Sequence, residues 1–384
     1  MNERIDIDYS AVQSLPELVE LLQKKHVPRN RYWRFIEAYQ ETKASERGIP
    51  ISGQFEITPL CNLDCRMCYV HLDPKQLNGA HLLPADWWKD IMKQAHAQGM
   101  MNAVLTGGEC LTYPGFDDLY LFLRSLGIKV SIKTNGLLLT QERMDFFRRY
   151  RPHSLTVSLY GSSDEVYTRV TGHAVFDTVY ENLLRLKDAD FPVMIAVTPS
   201  RYLYEDLENI FKLIEGLHIP FTFNVALFQP RRETGRELCD ITHEEYVEIY
   251  KMLRKQAPDL PLPIGEEELP ACGMGSTPEY GIRCGAGRNF FTISWNGQMA
   301  ACDNLNSLRV SLNDHTFSDA WEKIHEDALS FPLPVECADC AYDSVCFSCS
   351  AYRGNGAEKG HNNPEICKRT KLLVKEGILK LNLQ

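Results

Sequence analysis

The sequence predicts an α/β protein built on a parallel sheet, and three observations point there. From residue 54 onward, strand-like and helix-like runs alternate through six units. Strands separated by single helices require parallel pairing with right-handed crossovers. The small polar and glycine-rich segments fall just after the strand candidates, where such sheets carry their sites. The pattern fits either an open doubly wound sheet or a partial barrel.

The elements follow in order. Within the polar first 50 residues, Leu15–Leu22 and Tyr32–Tyr39 carry apolar residues at helical spacing. Gln54–Ile57 reads as a strand and is followed by a cysteine loop. Ala85–Gln98 reads as a helix with Pro84 near its start. Ala103–Leu105 is a short apolar run ending in Thr106-Gly107-Gly108-Glu109, and Phe116–Leu126 is helical. Lys129–Lys133 is a strand ending in Thr134-Asn135-Gly136. Helix Gln141–Tyr150 precedes strand Ser154–Leu159, and helix Phe176–Lys187 precedes strand Val193–Val197. Helix Leu203–Leu217, strand Phe221–Leu227 and helix His243–Gln256 complete the series. The proline-rich stretch Pro258–Pro263 is a stiff connection. It divides the chain into a helical segment (1–50), a strand–helix domain (51–262) and a cysteine-rich domain (263–384).

Composition narrows the function. The 384 residues are 44% apolar and 24% charged, an ordinary globular balance with ample core. A net charge of −10 argues against a broad grip on nucleic acid or anionic lipid. The longest clear apolar run, Phe191–Val197, is a strand's length and no membrane span. The start, Met-Asn-Glu-Arg-Ile-Asp, has no signal-peptide character, so a cytoplasmic protein is expected. Thirteen cysteines, clustered and not spread as a disulfide scaffold, then suggest metal.

Cys61, Cys65 and Cys68 form a Cys-x3-Cys-x2-Cys run followed at once by Tyr69. Three thiolates from one loop can wrap a single metal centre. A structural zinc site wants a fourth ligand, which His71 or His81 could supply. A [4Fe–4S] cube takes one Cys per iron, so three would leave one iron open for chemistry.

With the strand before it and the strand–helix series after it, this loop resembles the hallmark of the radical S-adenosylmethionine (radical SAM) superfamily. The resemblance runs from about residue 51 to near the end of the chain. It implies a partial (β/α)6 TIM barrel, a [4Fe–4S] cluster on the three cysteines and S-adenosylmethionine chelated at the open iron. An electron passed to the sulfonium would release a 5′-deoxyadenosyl radical that abstracts a substrate hydrogen. Gly107-Gly108-Glu109 matches the family's GGE motif, which meets the cofactor's ammonium. Ser158, at the fourth strand's end, and Arg169 stand where relatives hold the carboxylate or ribose. Asn135 and Thr198 are ribose or adenine neighbours on the same reasoning, and Tyr69 is adenine-adjacent.

The tail carries a second resemblance. Cys284-x12-Gly297-x4-Cys302, then Cys337-x2-Cys340-x5-Cys346-x2-Cys349, then Cys367, is similar to the SPASM domain. One spacing departs, with two residues and not three between Cys346 and Cys349. Cys284–Phe290 and Ile293–Gly297 read as that domain's hairpin with its turn. The resemblance implies two auxiliary [4Fe–4S] clusters. Cys284, Cys302 and Cys349 would ligate the first, with Cys272 completing it or leaving an open iron. Cys337, Cys340, Cys346 and Cys367 would ligate the second. Two zinc ribbons are the alternative.

Asp303 directly follows Cys302, where sulfatase-maturing relatives have a base that acts on the substrate radical. Cys110 stands where a Pro often follows GGE, and it either packs or faces the mouth as a hydrogen donor. Cys239 looks incidental. SPASM enzymes mostly modify peptides or proteins. The expected function is maturation of a ribosomally made peptide by thioether or carbon–carbon crosslinking, with flavodoxin or ferredoxin as reductant. Formylglycine formation in a sulfatase and peptide epimerisation are the alternatives, and a non-catalytic electron carrier would need no cofactor pocket. A complete winged-helix leader-binding module is not expected in the first 50 residues.

Overall fold

The computed structural model describes residues 7–72, 75–77, 79–223, 241–256, 282, 284–305, 308–332, 334–342, 345, 346, 349, 350 and 364–379. Two helices come first, α1 (Leu15–Lys24) and α2 (Tyr32–Arg47). Ser14 caps α1 by accepting from the Glu17 N–H, and Gly48 ends α2 in the left-handed conformation. Leu18 and Leu22 are buried with Ile7, Val12 and Val27 in a small core of their own.

The alternating part follows as β1 (Ser52–Glu56), α3 (Ala85–Ala97), β2 (Asn102–Thr106), α4 (Phe116–Ser125), β3 (Lys129–Thr134), α5 (Gln141–Arg149) and β4 (Ser154–Ser158). Then come α6 (Asp164–Thr171), α7 (Phe176–Asp188), β5 (Val193–Val197), α8 (Leu207–Leu217), β6 (Phe221–Phe223) and α9 (His243–Gln256). The tail adds β7 (Phe290–Ile293), β8 (Gln298–Ala300), β9 (Arg309–Ser311), α10 (Phe317–Leu329) and α11 (Pro364–Lys375). The expected strands and helices are present within a few residues. Residues 224–227 of the expected sixth strand lie outside the described residues, as does the Pro258–Pro263 connection. Helices α6, α10 and α11 were not anticipated.

The strands form one sheet in the order β6-β5-β4-β3-β2-β1-β7-β8-β9. Strands β1 to β6 pair in sequence order, each parallel to the next. A doubly wound sheet reverses its order at a switch point. No reversal occurs among β1 to β6, so the successive right-handed crossovers send their helices to one face, as in a partial barrel. Burial follows the strand period. Val130 and Ile132 are buried, whereas Lys129 and Lys133 on the opposite face of β3 are exposed. The second face is therefore the lumen.

The tail does not fold apart from this sheet. Strand β7 pairs parallel with β1, placing Ser52 opposite Phe290 and Gln54 opposite Thr292. Strands β8 and β9 continue antiparallel. Gly297 forms the turn between β7 and β8 at φ +79°, which a glycine adopts without strain. The fully buried Phe291 ring meets Phe55 at 5.8 Å, Phe317 at 5.0 Å and Trp321 at 6.2 Å, all edge-on. Gly53 leaves room for that ring, since a Cβ there would sit 2.3 Å from its tip. The Trp321 indole donates to the Gly48 carbonyl at 2.7 Å, tying α10 to the end of α2.

Phe291 is thus the apolar bolt between the barrel and the tail. Phe291→Ala should cost about 3–5 kcal/mol, the range for deleting a buried aromatic. Denaturant unfolding of the metal-free chain followed by tryptophan fluorescence should show the loss as a lower midpoint. An unchanged midpoint would contradict the pairing of β7 on β1.

Candidate metal centre

Strand β1 ends at Glu56, and the chain turns into the loop bearing Cys61, Cys65 and Cys68. Three neighbouring segments fix this loop. After β2, the Gly108 and Glu109 N–H groups donate to the Thr58 and Leu60 carbonyls, each at 2.8 Å. A Cβ on Gly107 would lie 2.2 Å from the Thr58 oxygen, and one on Gly108 2.3 Å from the Leu60 oxygen. Both are backbone atoms that cannot swing aside, so the segment requires glycine. From the end of α6, the Val170 and Thr171 carbonyls accept from the Arg66 and Asp64 N–H groups, each at 3.0 Å. After β3, the Asn135 amide reaches Asn62 Oδ1 at 2.7 Å and Cys61 Sγ at 3.6 Å.

Burial pushes the Cys61 thiol up to about 12 and the Cys65 thiol well above its ordinary value, and the neighbouring thiols push the same way. Neighbouring buried thiolates are costly unless positive charge lies among them, a condition that iron meets. Donors already face the sulfurs. The Leu63 N–H approaches Cys61 Sγ at 3.4 Å, and the His71 N–H approaches Cys68 Sγ at 3.2 Å. The Tyr160 phenol lies near the Cys65 thiol and Ser158. Among the described residues, no three Cys, His, Asp or Glu side chains converge tightly enough for a single ion. A cube spaces its ligands more widely, one thiolate to each iron. The donor set and glycine cradle fit a cluster. Of the histidines of the zinc alternative, the His71 ring approaches Asp64 at 3.9 Å and His81 is exposed.

The other sequence candidates take up defined places. Glu109 is fully buried and its carboxylate is turned inward. It accepts from the Leu111 N–H at 3.0 Å, the Thr134 hydroxyl at 2.9 Å and the Asn135 N–H at 2.7 Å. Desolvation raises its pKa, while these donors oppose the rise. Ser158 ends β4 on the lumen face, and Thr198 follows β5 on the same side. Arg169, on α6, donates through Nε to the Tyr202 carbonyl at 2.9 Å. Cys110 does not face the mouth. It is fully buried, its thiol lies 3.3 Å from the Lys133 carbonyl, and burial drives its pKa well up. It packs, and the hydrogen-donor reading is corrected on that ground.

Tyr69 lies half-buried between the two cysteine groups. Burial pushes its phenol well above the ordinary range, reinforced by Asp303, Glu56, Cys68 and Cys302. Asp303 sits against the barrel interior, with Oδ2 accepting from the Gln54 amide at 2.7 Å. Lys133 donates to the other end of that amide at 2.8 Å. Lys133 opens on the lumen, but the surrounding barrel wall desolvates its ammonium and pulls its pKa down, against Asp303, Cys302 and Glu56. Gln54, Glu56 and Lys133 went unnoticed in the sequence. Their signal is polar residues alternating with apolar ones along β1 and β3.

Burial raises the Cys302 thiol to about 11, with Asp303 and Cys349 adding to the rise. Cys337 is buried, Cys284, Cys340, Cys346 and Cys367 are half-buried, and Cys349 is exposed. Cys346 Sγ lies 3.7 Å from the Thr370 hydroxyl. Cys239 and Cys272 fall outside the described residues.

The chain is similar to several known proteins. The sequence is 26% identical over 320 residues to the AdoMet-dependent heme synthase of Methanosarcina barkeri, covering 77% of this chain and 90% of that protein. It is 24% identical over 382 residues to the antilisterial bacteriocin subtilosin biosynthesis protein AlbA of Bacillus subtilis, covering 95% and 81%. Among solved structures, anSMEcpe with bound AdoMet superposes with a TM-score of 0.67 at 18% identity, covering 86% of this chain and 97% of that one. Streptococcus suis SuiB bound to precursor peptide SuiA gives a TM-score of 0.63 at 17% identity, covering 95% and 84%. Both structures share the fold. The profile of the Radical SAM superfamily matches residues 55–214, from within β1 to within α8, and so contains the cysteine loop and its three clamps.

Proposed function

We propose that this enzyme matures a ribosomally made peptide, forming a thioether or carbon–carbon crosslink. The observation that carries the reading is the β1–β7 pairing, which brings Cys302 and Asp303 to the mouth that holds the cysteine loop. The likeness to AlbA over 95% of the chain supports a peptide substrate. Bound at Cys61, Cys65 and Cys68, a [4Fe–4S] cluster with S-adenosylmethionine supplies radical hydrogen abstraction. Around it, the Gly107–Gly108 backbone, Tyr69, Ser158, Arg169 and Thr198 orient the cofactor, and Glu109 and Asn135 act through the loops they hold. The guanidinium of Arg169 suits its carboxylate. The tail cysteines hold two auxiliary clusters, grouped as the SPASM resemblance implies, with Cys302 and Cys349 in the same one. Flavodoxin or ferredoxin in the cytoplasm supplies electrons. No helix among the described residues is long and apolar enough to cross a membrane.

Two observations favour other substrates for the same radical chemistry. Asp303 Oδ1 is buried with no hydrogen-bond partner among the described residues, which suits a base in formylglycine formation. The heme synthase relative, 90% covered, favours a tetrapyrrole. Incubation with a short Cys-rich peptide encoded beside this gene should give a product lacking a pair of hydrogens per crosslink. Reaction of a sulfatase peptide or a tetrapyrrole alone would replace the peptide reading.

Replacing Cys61, Cys65 and Cys68 together by Ala should abolish 5′-deoxyadenosine formation under dithionite while tail-bound iron remains. Unchanged cleavage in that variant would remove the loop from the chemistry. Asp303→Asn keeps the contact with Gln54 but loses the proton acceptor. Modified product per 5′-deoxyadenosine should then fall roughly 10²-fold or more, the scale of a lost general base. Wild-type coupling would leave Asp303 as a turn residue.

A further inference from the structure

We infer that Asn135 is a positioning residue that sets how easily the metal centre on the cysteine loop is reduced. The inference rests on the reading that Cys61 ligates an iron–sulfur cluster.

Asn135 follows β3 and is only 6% exposed. Its backbone N–H is anchored on Glu109 Oε2 at 2.7 Å, and Glu109 is held in turn by Leu111 and Thr134. Its side-chain Oδ1 accepts from the Leu137 N–H at 3.1 Å. A backbone N–H can only donate, so the amide oxygen must face Leu137 and the NH2 must face the cysteine loop. Both hydrogens of that NH2 have acceptors, with Nδ2 2.7 Å from Asn62 Oδ1 and 3.6 Å from Cys61 Sγ. The amide is therefore locked with a donor on the sulfur before any electron arrives.

Reduction adds negative charge to a cluster and its thiolates. A donor fixed on a ligand sulfur stabilises the reduced form more than the oxidised form, and so raises the potential. The side chain needs no reorientation when the charge arrives. The Glu109–Asn135–Cys61 chain thereby gives the acid of the GGE motif a task at the cluster, carried out through Asn135.

Two variants separate this role from simple turn-building. Asn135→Ser keeps a hydroxyl for the Leu137 N–H but does not reach Cys61. Asn135→Asp keeps the shape and the cap but turns a carboxylate oxygen on the sulfur. The full-length chain is reconstituted anaerobically and titrated electrochemically, with reduction followed by electron paramagnetic resonance. The signal that changes on adding S-adenosylmethionine marks the cluster with an open iron.

The midpoint should fall from wild type to Ser to Asp. At the wild-type midpoint, the reduced-to-oxidised ratio of the Ser variant should drop about three- to tenfold, the scale of one ordinary hydrogen bond. Equal midpoints would overturn the inference. So would an Asp variant nearer to wild type than Ser, because a shape-keeping turn residue behaves that way. Loss of loop iron from both variants, with tail iron kept, would also overturn it by assigning Asn135 to building the loop. A wild-type protein with no signal responsive to S-adenosylmethionine is a different failure, that of the cluster reading itself.

Discussion

The structure depends on β1 having parallel partners on both edges. On one side β2 leads to the Gly107–Gly108 turn that clamps the cysteine loop. On the other side β7 arrives from more than 230 residues downstream and begins the cysteine-rich tail. A strand between two parallel partners has every ladder group engaged, so its end is a rigid platform. Cys61, Cys65 and Cys68 follow that end directly. Asp303, after β8, meets the same strand through Gln54. One strand therefore fixes both the loop and the Cys302–Asp303 turn.

This arrangement has an electrostatic consequence. Glu56 and Asp303 bring two carboxylates to the inner face of the barrel, against Lys133. Lys133 can only donate, so the Gln54 oxygen must face it, and the Gln54 NH2 then faces Asp303. Asp303 is thereby held as an acceptor by a neutral group whose orientation is set by a cation. Tyr69, beside Cys68 and near Cys302, is kept protonated by burial and by the same carboxylates. The space between the cysteine groups is lined by groups whose hydrogen bonds fix their direction, as a site that must orient a substrate requires.

Local signals in the sequence located most of this. The strand–helix series, the three-cysteine loop, the Gly107–Glu109 segment and the Gly297 hairpin turn are short-range patterns, and each lies where its chemistry suggested. The doubly wound alternative survived in the sequence because alternation does not encode strand order. The β1–β7 pairing is long-range and rests on Phe291 filling the space above Gly53, a contact that no spacing rule reveals. Gln54, Glu56 and Lys133 were visible only as polar residues of one parity among Phe55, Ile57, Val130 and Ile132. Their meaning needed to be known from which face is lumen. Cys110 was ambiguous for a similar reason. Its neighbour Glu109 is conspicuous, but the chain enters a short 3-10 turn at Cys110 and carries the thiol under the sheet.

The Gly107-Gly108-Glu109 segment illustrates how one short motif divides its work. The two glycines are required by contact with the backbone of residues 58–60, a steric demand that any added Cβ violates. The glutamate is bound by a different demand. As a buried carboxylate it needs donors, and it finds them at Leu111, Thr134 and Asn135 on the two loops that flank it. Satisfying that charge holds the β3 loop against the β2 loop, and the β3 loop then presents the Asn135 amide to Cys61. The acid thus organises the sulfur's surroundings from behind, while the glycines shape the front. Without either contribution the loop would keep its three cysteines and lose the fixed donors and close backbone contacts that hold them in register.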